Sequence, residues 1–246
     1  MYNFFVEPAQ IQGNTITITG NDVNHIKNVL RMKIGEEISV SNGIDKKEYR
    51  CGIEDIEEEK IVCKLRFVKE DGMELPSRVY LFQGLPKADK MELIIQKAVE
   101  LGVYEVIPVA AKRAVVKLDE RKAKAKRGRW QGIAESAAKQ SKRRIIPQIK
   151  EVMTMQEAVR YASGMEVRLI PYELAEGMQE TKNIISSLKK EQSIAVFIGP
   201  EGGFEENEIK EATDNGIVPI TMGKRILRTE TAGLTILAWI MYQLEE

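Results

Sequence analysis

The run Ile194-Ala-Val-Phe-Ile198 is apolar at every position and ends in Gly199-Pro-Glu-Gly-Gly203. An unbroken apolar run closed by glycine and proline fits a strand covered on both faces. That is the habit of a parallel sheet clothed by helices, not of a sheet with one wet face. A second glycine turn follows in Met222-Gly-Lys-Arg-Ile-Leu-Arg-Thr-Glu-Thr-Ala-Gly233. At the carboxyl ends of neighbouring strands, such turns bring bare main chain against a ligand. Neither turn has the G-x-G-x-x-G spacing of a dinucleotide fingerprint or the G-K-[ST] ending of a phosphate loop. Glu205, Glu206 and Glu208 crowd the next helix start, which disfavours an anion there and points to a neutral or cationic cofactor.

The rest of the chain has two textures. Up to about residue 70 it reads as β. Thr15–Thr19 alternates with period two, and Glu37–Val40, Tyr49–Ile53 and Lys60–Val68 follow. One helix interrupts them, with Asp22 as N-cap and Val23, Ile26, Val29 and Leu30 as its apolar stripe. Short strands and one helix predict a small barrel, closed by a linker at Asp71–Pro76. From Ser77 onward strands alternate with helices, predicting an α/β domain with a mostly parallel sheet. Its strands are Val79–Phe82, Glu105–Val109, Val167–Ile170, Ile194–Ile198 and Ile217–Ile220. Its helices cover Lys90–Leu101, Asp119–Gln140, Met155–Tyr161 and Ala232–Leu244. The last is apolar on nearly every side, and a partner subunit is one source of cover. The expected domains are therefore 1–71 and 72–246.

Charge is balanced overall, 37 basic against 37 acidic residues, but not locally. From Lys112 to Lys150 stand 14 Lys or Arg against Asp119, Glu120 and Glu135. With the cluster Lys139-Gln-Ser-Lys-Arg-Arg144 this reads as a surface for the phosphates of RNA. Lys27, Arg31 and Lys33 extend it onto the barrel. Cys51 and Cys63 fit no metal or redox spacing and read as small buried hydrophobes. A lone histidine, His25, makes a histidine-ligated metal unexpected. No segment reads as a signal peptide or membrane span, so a cytoplasmic setting without membrane is expected. In the second glycine loop, Lys224 and Arg225 read as surface charge. Arg228 and Glu230 adjoin an apolar helix, and Thr229 or Thr231 is placed as its cap.

Taken with His25-Ile-Lys-Asn-Val-Leu-Arg31, Lys97-Ala-Val-Glu-Leu-Gly-Val103, Gln140-Ser-Lys-Arg143 and Pro147, the two glycine loops give a full-length pattern. It resembles the bacterial 16S ribosomal RNA uridine-N3 methyltransferases of the SPOUT superfamily. That resemblance implies a PUA-like RNA-binding barrel and a C-terminal domain with a deep trefoil knot, an exception to unknotted topology. It also implies S-adenosylmethionine as cofactor, 16S rRNA of the small ribosomal subunit as partner, no metal, and a homodimer. On matching positions the cofactor would lie against Tyr172 to Leu174, against Gly199, Pro200, Glu201 and Gly202, and against Met222, Gly223, Ile226 and Leu227. Arg228 would stabilise the uracil anion, and Glu230 or Glu201 would take its proton, unless Glu201 only braces its turn. Arg31, Lys33, Arg129, Arg143 and Arg144 would contact RNA. Lys139 stands where the family often has Glu, and no role is given to it. A SPOUT enzyme with another RNA target and a non-catalytic RNA-binding factor are the alternatives.

Overall fold

The computed structural model describes all 246 residues except Asp71, Glu176 and Glu246. Two compact units emerge, and their boundary is not a single cut. Met1–Glu74 is joined by a returning segment, Ala138–Ile146, while Leu75–Ala137 and Pro147–Glu246 make the other unit. A division at 71 and 72 omits that segment, and Asp71 itself lies outside the described residues. Nor is the remainder of the expected linker a free tether. Leu75 is buried, and the Glu74 side chain is enclosed by Arg143.

In the first unit, β1 (Asn3–Phe5), β2 (Ile11–Gln12), β3 (Thr15–Thr19), β4 (Glu37–Ser41), β5 (Glu48–Ile56) and β6 (Lys60–Lys69) form one curled sheet. Its order is β1-β4-β5-β6-β3-β2, with β1 parallel to β4 and the other pairs antiparallel. The alternation in β3 sends Ile16 and Ile18 inward, opposite Cys63 and Ile61 of β6. Bulges at Arg50/Cys51 and Ile53/Asp55 bend β5 across that core. Both cysteines are free and buried, as small hydrophobes should be.

The helix of this unit departs from expectation. Gly20, at φ 72°, precedes the four-residue α1 (Asn21–Asn24), so Asp22 lies in the first turn and is not the cap. A π turn then runs His25–Val29, closed by the Leu30 amide on the His25 carbonyl at 2.9 Å. A wider turn breaks the helical stripe. Ile26 stays buried, but Val29 faces out at 61% exposure.

The second unit holds a wholly parallel sheet. Its strands are β7 (Arg78–Gly84), β8 (Glu105–Ala110), β9 (Gln148–Ile149), β10 (Met153–Thr154), β11 (Val167–Pro171), β12 (Ser193–Ile198) and β13 (Val218–Ile220). The order is β10-β8-β7-β12-β11-β13, with β9 also on β8. β12 sits between β7 and β11, where an all-apolar run belongs. On one face Phe197 stacks on Phe82 at 4.2 Å, within a core that includes Ile107, Ile170 and Ile217.

The helices are α2 (Lys90–Glu100), α3 (Glu120–Gln140), α4 (Met155–Ala162), α5 (Met178–Ser186), α6 (Glu206–Asp214) and α7 (Thr229–Leu244). α5 buries only Thr181 and no large apolar side chain, which is why the sequence pattern did not announce it. α3 buries Trp130, Ala134, Ala137 and Ala138 beneath its basic face. α7 starts three residues earlier than its apolar pattern. Its N-cap is Arg228, with no side-chain capping bond, so neither Thr229 nor Thr231 is the cap.

Candidate active site

Three loops at the carboxyl ends of β11, β12 and β13 enclose a cavity of about 550 Å³. Its tightest wall is the turn after β12. The Gly203 amide bonds the Pro200 carbonyl at 2.9 Å, and Gly203 takes φ 68°, where a side chain is strained. A Cβ on Gly84, at the end of β7, would stand 2.5 Å from Pro200 Cδ, so only glycine lets that strand touch the turn. The Tyr172 amide bonds the Ile220 carbonyl at 3.0 Å, bringing the first loop to the third. Thr181 of α5 then fixes Thr221. Its hydroxyl donates to the Thr221 carbonyl at 3.1 Å and accepts from the Thr221 amide at 3.2 Å.

The first helical residue of α7 closes the ring. The Thr229 hydroxyl donates to the Gly199 carbonyl at 2.6 Å and accepts from Gln83 Nε2 at 2.8 Å. A polar group in a dry core needs such partners. Here they tie β7, the β12 turn and α7 at one point.

Charge is concentrated at one side of the cavity. Lys90, at the start of α2, lies 3.1 Å from Glu201 and 3.3 Å from Glu230. Glu201 also accepts the Lys87 amide on both oxygens, at 3.1 and 3.2 Å. Burial pushes the Glu201 carboxyl up, but its own amide, Lys90 and the Lys87 amide outweigh that and hold it below the usual carboxylate range. Its carboxylate partners raise the Lys90 ammonium, Glu201 foremost. Glu201 is thus a charged brace with little proton affinity to spare. Arg228 lines the cavity with its side chain exposed.

Comparisons with known proteins agree with this geometry. An RNA methyltransferase domain profile matches residues 73–241, and an RNA methyltransferase PUA domain profile matches 18–66. The chain is 40% identical to the ribosomal RNA small subunit methyltransferase E of Bacillus subtilis, over 100% of this chain and 98% of that protein. The chain belongs to the ribosomal RNA small subunit methyltransferase E family. A crystal structure of a hypothetical protein superposes with TM-score 0.89 at 41% identity, covering 99% of this chain and 98% of that one. The Neisseria gonorrhoeae member of the family, solved bound to S-adenosyl methionine, gives TM-score 0.82 at 30% identity, covering 97% and 95%.

Within this family member, most of the residues expected at a cofactor site meet in one wall. Tyr172, Gly199, Pro200, Glu201, Gly202, Met222, Gly223, Ile226 and Leu227 all line the cavity. Leu174 is not in that wall and is 69% exposed. Glu230 is set behind the wall, reached through Lys90. Among the described residues no cluster of His, Cys, Asp or Glu could hold a metal, and no helix is long and apolar enough to cross a membrane.

The expected RNA-contacting residues scatter. Arg31 and Lys33 are exposed in the first unit. Arg129 is exposed on α3 but gripped by both oxygens of Glu92, at 2.8 and 2.9 Å. Arg143 and Arg144 overturn the expectation altogether. They are 4% and 6% exposed, ion-paired to Glu74 and Glu48 respectively, and cannot face phosphate. A basic run does not reveal that two of its members turn inward to buried acids. Lys139, the departure from the family pattern, pairs with Asp22 at 2.9 Å. Lys90 escaped notice, although one signal was available. A lysine in the first turn of a helix opposes the helix dipole and needs carboxylates to settle it.

Proposed function

We propose that this chain transfers a methyl group from S-adenosylmethionine to N3 of a uridine in 16S ribosomal RNA, as an enzyme of the small-subunit methyltransferase E type. One observation carries the reading. A glycine-lined cavity of suitable size opens at the strand ends, with a guanidinium at its mouth and a lysine-held pair of carboxylates at its side. Bare backbone at Gly199, Gly202 and Gly223 suits a flat adenosine, and a cationic sulfonium suits a site whose next helix begins with Glu205, Glu206 and Glu208. S-adenosylmethionine supplies an electrophilic methyl group.

Uracil N3 carries a proton at neutral pH and is a poor nucleophile until it loses it. N3 lies on the pairing edge, so the base must be unpaired and turned into the cavity. Arg228 then stabilises the charge spreading onto O2 and O4. Glu201 is committed to its turn, so we assign the N3 proton to Glu230, which stands behind the wall and would have to be reached past Lys90 as the base enters. As that N–H bond breaks, the N3–methyl bond forms and the S–methyl bond of the donor breaks, leaving a neutral thioether. The barrel and the exposed basic residues of α3 would bring the RNA. Two copies would pair through α7, where Tyr242 is 85% exposed and Leu234, Trp239 and Met241 are only half-buried, beside Leu93 of α2 at 45%. The junction of Thr229 with Gly199 and Gln83 is where a trefoil knot would draw tight.

Nucleosides from small subunits lacking the modification, incubated with this chain and the donor, should show 3-methyluridine by mass spectrometry. A 2′-O-methylated product, or none, would overturn the reading. Arg228→Ala should lower kcat by about 10²–10³-fold, as loss of an anion-stabilising donor does. Its RNA affinity should stay within about twofold, because the group acts on charge that develops only in the reaction.

A further inference from the structure

The cavity mouth carries more positive charge than its cofactor can use. Lys224, Arg225 and Arg228 all line it, and all three are exposed. Arg113, in the loop after β8, does not line the cavity but stands against the Gly202 turn that does, and adds a fourth cation there. Its Cβ lies 3.1 Å from the position a Gly202 Cβ would take, and its Nη1 donates to the Gly202 carbonyl at 3.2 Å. None of the four forms an ion pair among the described residues, whereas Arg129 and Lys139 on α3 do. S-adenosylmethionine is itself net cationic, so such a mouth would repel it unless something anionic also binds there. The carboxylates nearby are already occupied, since Glu201 and Glu230 share Lys90. Like charges gathered in one place repel one another, and a docking polyanion relieves that repulsion. Ile226, 86% exposed within the same loop, offers an apolar surface beside those charges.

We infer that Arg113, Lys224 and Arg225 form a phosphate clamp that grips the RNA backbone on either side of the nucleotide turned into the cavity. This rests on the methyltransferase reading above, and it moves the decisive RNA contacts from the Arg143–Arg144 pair to the cavity mouth. Gripping the flanking phosphates offsets the unstacking cost of extruding the base. The clamp therefore acts on the same nucleotide that Arg228 serves.

The test uses the full chain with small ribosomal subunits lacking the modification. RNA binding and kcat/KM are followed from 50 to 200 mM KCl for the parent, Arg113→Gln and the double variant Lys224→Gln/Arg225→Gln. Each charge removed should flatten the slope of log affinity against log salt by about 0.7–0.9, and affinity at low salt should fall at least about tenfold for the double variant. Charge-preserving Arg113→Lys and Arg225→Lys should keep the parent slope, which separates phosphate contact from loop damage. Donor affinity without RNA, measured by calorimetry, should not fall and should rise modestly, because neutralising the mouth removes charge that repels a cation. An unchanged salt slope would overturn the clamp. So would a parallel loss of donor affinity, which would assign these cations to the donor's carboxylate. If the parent makes no 3-methyluridine yet its RNA binding still flattens as charges are removed, the reaction is misassigned and the clamp stands.

Discussion

Arg143 and Arg144 follow a lysine-rich helix, and nothing in their neighbours says whether they meet phosphate or carboxylate. The structure answers with buried acids. Glu74 accepts the amides of Arg144 and Ile145 at 2.8 and 3.1 Å besides the Arg143 guanidinium, and Glu48 binds Arg144 and Ser39. Burial pushes the Glu48 carboxyl up, but the Ser39 hydroxyl, Arg144 and Arg50 together hold it below its usual value. A carboxyl lowered in the native state stabilises the fold above the ordinary carboxylate range, and that stabilisation is lost as pH falls through the lowered value. Arg144→Met should therefore destabilise the first unit by about 1.5–3 kcal/mol at pH 7, because Glu48 loses its buried guanidinium and keeps only Ser39 and the partly exposed Arg50. As the pH falls through the carboxylate range, the variant's Glu48, without Arg144, takes up a proton before the parent's does, and the gap should narrow. Urea unfolding at pH 7 and at successively lower pH reads this, and a gap independent of pH would show that the ion pair is not its source. Glu48 and Glu74 look like ordinary surface acids in sequence, because their partners arrive from 96 and 69 residues away.

At the scale of elements, the pattern was legible wherever burial alone decides it. The apolar run of β12, the alternation of β3 and the basic α3 each appear within a residue or two of their expected limits. Legibility failed where a distant partner sets the geometry. α7 begins at Thr229 and not Ala232 because the Thr229 hydroxyl is held by Gln83 and Gly199, 146 and 30 residues away. The π turn after α1 likewise leaves no mark in composition. For the candidate site, the two glycine loops were visible as a pair, but Lys90 was not, since it enters from the first turn of α2, far upstream. Gly84 shows how closely these elements meet. A methyl group there would lie 2.5 and 2.6 Å from Pro200 Cδ and N, and proline cannot yield as a flexible side chain can. Gly84→Ala should push the β12 turn off β7 at a cost of about 1–3 kcal/mol, the range for overpacking a filled site. Because that turn is a wall of the cavity, donor affinity should weaken at least about tenfold, as loss of a preorganised wall implies. Calorimetry with S-adenosylhomocysteine checks this, and parent-like binding would mean that the turn's position is not set by β7.

For the whole molecule, equal numbers of acids and bases conceal an uneven layout, with 14 basic residues against three acidic ones between Lys112 and Lys150. Part of that excess is spent inside the first unit, where Ala138–Ile146 returns to pair with acids of the barrel. The N-terminal sequence therefore lacks three of its counter-charges until the chain has come back more than sixty residues later, from Glu74 to Ala138. A fragment ending at Glu74 would bury Glu48 without Arg144, strip Glu74 of Arg143, and leave Asp22 without Lys139. Breaking even one buried pair costs about 3–5 kcal/mol, against the 5–15 kcal/mol that holds a typical domain together. Residues 1–74 alone should thus give a poorly dispersed amide spectrum and no cooperative thermal transition, although every strand of the curled sheet is present. Replacing Glu48 by Gln in the same fragment removes a buried charge left with Arg50 alone to balance it and should restore part of the dispersion. A sharp spectrum from the unmodified fragment would show that the returning segment decorates the barrel and does not complete it.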